Sequence, residues 1–187
     1  MYTTSDFKTG LTIGYKGNIY TVMEFMHVKS ANSMAFVRTK VRNLRTGAIT
    51  EMAFNAQEKF ERAQIDKIPM QYLYASDGVH VFMNLENYEQ IELQHEQIKD
   101  EARFIVDGMT VEVLSYNDTE ILGINLPDKV ALTVKETVPG VKGDTKTTAM
   151  KDAILETGIL VKVPMFIEEG ERIVVSTSDA SYVSREK

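Results

Sequence analysis

The chain of 187 residues contains no cysteine. Disulfides, thiolate nucleophiles and most structural zinc sites are thereby excluded, and the composition suits a reducing cytosol. No run approaches the ~18 apolar residues that a membrane span requires. The first ten residues, MYTTSDFKTG, carry neither a basic n-region nor an apolar core, so no signal peptide is expected and the protein reads as soluble and cytoplasmic. Histidine is scarce. His27, His80 and His95 fall in separate segments without metal-ligand spacing, and His80, inside a strand-like run, reads as a sheet-surface residue. Glycine-rich phosphate loops, G-x-S-x-G and Walker patterns are all missing. Glu168, Glu169 and Glu171 crowd a turn at Gly170, where carboxylates ordinarily face water rather than exchange protons with a substrate. No reaction is named by these residues. Neither enzymatic activity, a metal nor a cofactor is expected.

What the chain does have is enough apolar content, 43%, for a folded globular protein. The net charge of −6 conceals an asymmetry. Residues 1–64 hold nine Lys/Arg against five Asp/Glu, a balance of +4; residues 65–127 hold three against twelve, −9; residues 128–187 hold nine against ten, −1. A basic first part on an acidic protein suits contact with a polyanion at one end, although a solvated charge distribution reads the same way.

The dominant period is two. GNIYTVMEFMHV (17–28) is rich in β-branched and aromatic residues, MAFVRTKVRNL (34–44) alternates apolar with basic, Thr46-Gly47 punctuates, and AITEMAF follows. Asp77-Gly78 and Asn117-Asp118 each separate two strand-like runs, as hairpin turns do. The segment 95–105, with Ile98 and Ala102 spaced i, i+4, is the best helix candidate. Many short strands with little helix predict small β-barrels rather than α/β units. Asp107-Gly108 and Glu169-Gly170 each feed a strand in the same way, and Gly17 with the residues to Val22 forms a looser third copy. Boundaries are expected near residues 64–68 and 126–128, giving segments 1–64, 65–127 and 128–187.

The most informative stretch is HVKSANSMAFVRTKVR, from His27 to Arg42. It reads as strand, polar tip and strand. Arg38, Lys40 and Arg42 stand at i, i+2, i+4, so one strand face collects them, while Val37, Thr39 and Val41 turn to the other side. Such a row is either a solvated basic edge that discourages strand pairing or a rail for phosphates, where each neutralised charge releases counterions. Lys29 and Arg45 nearby favour the rail.

These segments together resemble the bacterial elongation factor P family, essentially end to end. FKTGLTIGYKGNIYTVMEFMHVK and AFVRTKVRNLRTG are similar to its first domain, and YLYASDGVHVFMNLENYEQIEL to its second. The stretch 151–173 carries the C-terminal signature: Lys151, Ala153, Gly158, Val163-Pro164 and Gly170. The resemblance implies three small β-barrels, an SH3-like (KOW-like) domain at 1–64 and OB-fold domains at 65–127 and 128–187, in an L-shaped arrangement that mimics tRNA. It implies a monomer that binds the ribosome beside peptidyl-tRNA, touches ribosomal RNA and no membrane, and relieves stalling at consecutive prolines without making or breaking a bond itself.

By the same resemblance, Arg38, Lys40, Arg42 and Arg45 would grip RNA backbone. The tip formed by Lys29, Ser30, Ala31, Asn32 and Ser33 would approach the peptidyl-transferase centre, and Gly143, Asp144 and Thr145 would face the small subunit. The tip departs from the family. Where a Pro-Gly-Lys-Gly-like turn with a modifiable lysine is usual, this chain has Ser30-Ala31-Asn32-Ser33, with Asn32 in the modified position. A carboxamide offers hydrogen bonds but no charge and little reach. Two readings of the departure stay open: a lineage that works with an unmodified tip, or a divergent paralogue with altered or reduced stall rescue. A ribosome-independent OB-fold protein for single-stranded nucleic acid is the alternative from another class. It needs aromatic platforms on a basic groove, and the middle segment has the wrong sign of charge.

Overall fold

Sixteen β-strands account for nearly all the regular structure of the computed structural model, which describes residues 1–140 and 149–187, with Ser30 described through its backbone alone. In chain order they are β1 (Tyr2–Thr3), β2 (Thr12–Tyr15), β3 (Asn18–Ser30), β4 (Ser33–Asn43), β5 (Ile49–Asn55), β6 (Lys59–Arg62), β7 (Ile65–Ser76) and β8 (Val79–Asn84). Then follow β9 (Gln90–Gln94), β10 (Thr110–Tyr116), β11 (Glu120–Asn125), β12 (Lys129–Thr137), β13 (Met150–Leu155), β14 (Leu160–Pro164), β15 (Arg172–Ser176) and β16 (Tyr182–Arg185). They form three sheets, ordered β1-β6-β2-β3-β4-β5, β11-β10-β7-β8-β9 and β14-β13-β12-β15-β16. Among the described residues no helix is long and apolar enough to cross a membrane.

The chain forms two compact units: Met1–Ile68 with Val113–Gly123, and Pro69–Glu112 with Ile124–Lys187. In the first, the six-stranded sheet curls over Phe7, Leu11, Ile13, Tyr20, Val22, Val37, Val41, Phe54 and Phe60. Phe54 and Phe60 meet edge to face at 4.9 Å, and Phe7 reaches Phe60 at 5.1 Å. Aromatic pairs in this geometry add to the area they bury. Ile19, Ala63 and Leu122 make a smaller cluster in the same unit. In the second unit the third sheet wraps an aliphatic core including Leu132, Leu155, Val163 and Ile173, closed by Phe104.

The hairpin turns form where expected. Asp77 and Gly78 both have positive φ (50° and 77°), as do Asn117 and Asp118 (52° and 55°), the geometry that matches the twist of two-residue hairpins. The expected helix over 95–105 does not form. The segment makes two 3₁₀ turns, His95–Gln97 and Glu101–Arg103. Ile98 and Phe104 are both fully buried. They lie six residues apart, a spacing that puts them on different sides of an α-helix. Two tight turns bring both inward, and eleven residues are too few for helix propensity to resist.

The internal repeat is real, but its third copy lies elsewhere than expected. Gly108 N–H donates to Tyr72 O (2.7 Å) while Tyr72 N–H donates to Met109 O (2.8 Å). Gly170 and Glu171 hold Val134 in the same way, and so do Gly10 and Leu11 with Val22. Val22, Tyr72 and Val134 each stand just before a register shift in a long strand. The three glycines share φ of 89°, 87° and 84°, a region closed to most side chains. Each sheet thus carries one glycine turn locked to one bulge, and the equivalent in the first sheet is Gly10 rather than Gly17.

Candidate nucleic-acid interface

β3 and β4 are the longest pair in the first sheet, and their neighbours do not cover them. β2 pairs only with Asn18 to Thr21 of β3, and β5 with Phe36 to Arg42 of β4. Past Val22 on β3 and before Ala35 on β4 the two strands pair with each other alone, to Ser30 opposite Ser33. A two-stranded arm therefore extends from the sheet. At its end Ala31, Asn32 and Ser33 are exposed, as are Lys29 before the tip and Met34 after it. Met34 is 80% and Met26 58% exposed.

Below the arm the alternation of β4 is complete. Val37, Thr39 and Val41 are buried, while Arg38, Lys40 and Arg42 face solvent. Val37 lies opposite Phe54 across β5, so the aromatic core fixes the plane from which the cations project. The charges are not alone. Glu51 of β5 meets Arg38 Nε at 3.3 Å, and Glu24 of β3 meets Lys40 Nζ at 3.8 Å. Both pairs are largely in water, where such contacts are weak and exchange readily. Arg42, flanked by Thr21 and Ile49, pairs with no carboxylate among the described residues. The face can present three cations to a phosphate chain, two after exchanging a carboxylate and one directly.

Arg45 behaves differently from the row it follows. Its Nε and Nη2 donate to the two Glu120 oxygens at 2.8 and 3.1 Å, and its Nη1 donates to Gly17 O at 2.7 Å. This fork holds the β4–β5 turn to the β10–β11 hairpin within one compact unit. The hydrogen bonds to Glu120 push the guanidinium further up, and the same contact holds the Glu120 carboxyl below its usual range. Gly143, Asp144 and Thr145 lie outside the described residues.

Sequence reading missed Glu24 and Glu51. Register could have found them, because Lys40 lies opposite both, and Arg38 reaches Glu51 diagonally. It also misplaced His80, which is buried rather than on the sheet surface, with its ring bonded to Tyr72 and to His95.

Three family models match the chain in succession. Residues 3–60 match the elongation factor P KOW-like domain, 65–124 its OB domain, and 130–185 the elongation factor P C-terminal domain. The elongation factor P of Phytoplasma australiense is 50% identical over 186 residues, covering 100% of this chain and 98% of that protein. The elongation factor P of onion yellows phytoplasma (strain OY-M) is likewise 50% identical over 186 residues. Among solved structures, eukaryotic translation initiation factor 5A from Methanococcus jannaschii overlays with a TM-score of 0.50 at 21% identity, over 66% of this chain and 90% of that one. That likeness speaks to the fold alone. The all-β architecture agrees with the expected SH3-like barrel followed by OB folds.

Proposed function

Because the chain belongs to the elongation factor P family of translation elongation factors, we propose that it binds the ribosome next to peptidyl-tRNA and promotes peptide-bond formation at stalling sequences such as consecutive prolines. The observation that carries this reading is the β3–β4 arm: a projecting end whose outermost residues, 30–33, are uncharged, with exposed Arg38, Lys40 and Arg42 behind it. The cations bind RNA phosphates, and the tip of Lys29, Ser30, Ala31, Asn32 and Ser33 reaches the end of the tRNA near the peptidyl-transferase centre. Arg45, held by Glu120, secures the base of the arm. Gly143, Asp144 and Thr145 serve the small-subunit side. Segments 1–64, 65–127 and 128–187 act as three domains of a cytoplasmic monomer.

The chemistry asked of such a factor is positional. Proline is a stiff, N-alkylated nucleophile, and holding the peptidyl-tRNA in a reactive geometry lowers the entropic part of the barrier. The protein needs no nucleophile, acid or metal for this. The carboxamide at position 32 supports a second reading, a factor with altered or reduced rescue, because Asn32 supplies only short hydrogen bonds. A reconstituted translation reaction on a tri-proline message tests both. Full-length product rising on addition of the protein, together with salt-sensitive cosedimentation with ribosomes, supports the first. Cosedimentation without rescue supports the second, and the absence of both effects overturns the proposal.

A further inference from the structure

The second sheet contains a hydrogen-bonded chain that the translation reading does not use. Tyr72 on β7 has its hydroxyl 3.1 Å from His80 Nδ1 on β8. His80 Nε2 lies 3.0 Å from His95 Nδ1 at the end of β9. The two imidazoles stack with centroids 5.3 Å apart and planes at 23°. Tyr72 and His80 are buried, whereas His95 opens to solvent. Two proton arrangements join the neutral chain, and the one that gives the buried Tyr72 O–H an acceptor has it donate to His80 Nδ1, with His80 Nε2–H donating to His95 Nδ1.

We propose that Tyr72, His80 and His95 form an acid-sensitive latch that ties β7, the start of β8 and the residue after β9 together and opens when the pair of histidines takes up a second proton. The proton balance follows from the geometry. One added proton leaves the contacts intact whichever ring carries it: one imidazole donates to the other, His80 presents Nδ1–H, and Tyr72 becomes the acceptor. A second proton puts N–H against N–H at the His80–His95 contact, two cations where one hydrogen bond had been. The exposed ring leaves first, so His95 swings into water. Its backbone N–H holds Gly78 O at 2.8 Å, and the 3₁₀ turn it begins carries the buried Ile98. The opening therefore reaches the β7–β8 turn and the start of the connection to β10.

The charged and titratable neighbours act in one direction. Burial and the facing His95 both hold the His80 imidazole below its ordinary range. Asp107, from the turn before β10, acts with burial to push the Tyr72 phenol up, which keeps it a hydroxyl donor. The cross-strand neighbours of His80, Ala75 and Leu93, are uncharged, and Glu96, next to His95 in the chain, is exposed.

Nitrogen-detected NMR of the imidazoles in the full chain tests the latch. The two rings are expected to titrate as a coupled pair, in steps separated by about one pH unit or more. His95→Gln keeps an acceptor for His80 Nε2–H and removes the second charge, so His80 should then titrate in a single step at higher pH than the second step of the wild type. Tyr72→Phe, a near-isosteric change, should remove the tautomer preference of His80. Exchange of the His95 and Ile98 amides, corrected for intrinsic chemistry, should accelerate between about pH 7.5 and about pH 5.5 in the wild type and not in His95→Gln. Independent titration of the two histidines, or wild-type exchange that is unchanged over this range, overturns the proposal.

Discussion

The β3–β4 arm and the Tyr72–His80–His95 chain are two ways of placing ionisable side chains on a β-sheet. On the arm, Arg38, Lys40 and Arg42 stand in water with partners that let go easily. In the second sheet, His80 is buried and its contacts are fixed at 3.0 and 3.1 Å. Solvated charges interact over a Debye length, so the arm should respond to salt. Buried titratable groups are shielded from salt but coupled to folding, so the histidine pair should respond to pH. The two regions are separable by choice of solution variable.

The comparison breaks most severely if the support of the arm is removed. Phe54 is fully buried, lies opposite Val37 and packs edge to face on Phe60. Phe54→Ala should cost about 3–5 kcal/mol, the usual toll for emptying an aromatic core site. Denaturant unfolding would measure it, and a loss below about 1 kcal/mol would mean that the plane of the cations does not depend on this core.

Replacing Arg38, Lys40 and Arg42 together by Gln should leave the fold intact and lower ribosome affinity by about a hundredfold at low salt, at roughly 1 kcal/mol per lost contact. The slope of log affinity against log salt should fall by about one unit per lost phosphate contact. Arg42 alone should account for the largest single share, because it surrenders no carboxylate on binding. An unchanged slope would remove the row from the interface. Arg45→Gln sharpens the same contrast: it should lower the melting temperature by releasing Glu120 while leaving the salt slope unaltered.

The histidine pair responds to pH with a definite sign. The His80 imidazole is held below its ordinary value by burial and by His95. In the unfolded chain it takes a proton near pH ~6.5, where the folded protein refuses it. Its contribution to stability is complete above that value and is lost as the pH falls toward the folded-state value. Melting temperature should therefore decline on acidification below pH ~6.5, less so in His95→Gln. A melting temperature flat across that interval in the wild type would contradict the burial of His80.

Local pattern made much of this architecture legible, and long-range pairing hid the rest. The inward and outward sets on β4 follow from a period of two, and Asp77-Gly78 carries its own turn geometry. The segment 95–105 shows an i, i+4 pair, yet Phe104 is claimed by the third-sheet core, which no local rule announces. Arg45 and Glu120 are 75 residues apart, so a cation that looks like part of a basic row is taken by a hairpin from another stretch of the chain. His80 seemed a surface residue because alternation tells which residues share a face, not which face another strand's ring will cover. The glycine repeat was visible at Gly108 and Gly170. Its first-sheet counterpart was obscured because there the glycine turn precedes the bulged strand instead of following it.

The smallest expected effect concerns the tip. Ala31, Asn32 and Ser33 bury nothing and end a two-stranded arm, so a substitution at Asn32 should not change stability measurably. Whatever Asn32 contributes must come through hydrogen bonds of its carboxamide to RNA, worth about 0.5–1.5 kcal/mol net. Since about 1.4 kcal/mol corresponds to a factor of ten in rate, Asn32→Ala should reduce proline-stretch synthesis by at most about tenfold. A long charged side chain at this position would make further contacts, so rescue by this chain should be weaker than by a factor that carries one. Rates of tri-proline synthesis with the wild type and Asn32→Ala, beside the intact mass of the protein from its own cells, check the point. A mass increment mapped to residues 29–33, or a loss far beyond tenfold, would show that the tip acts through something other than its genetically encoded carboxamide.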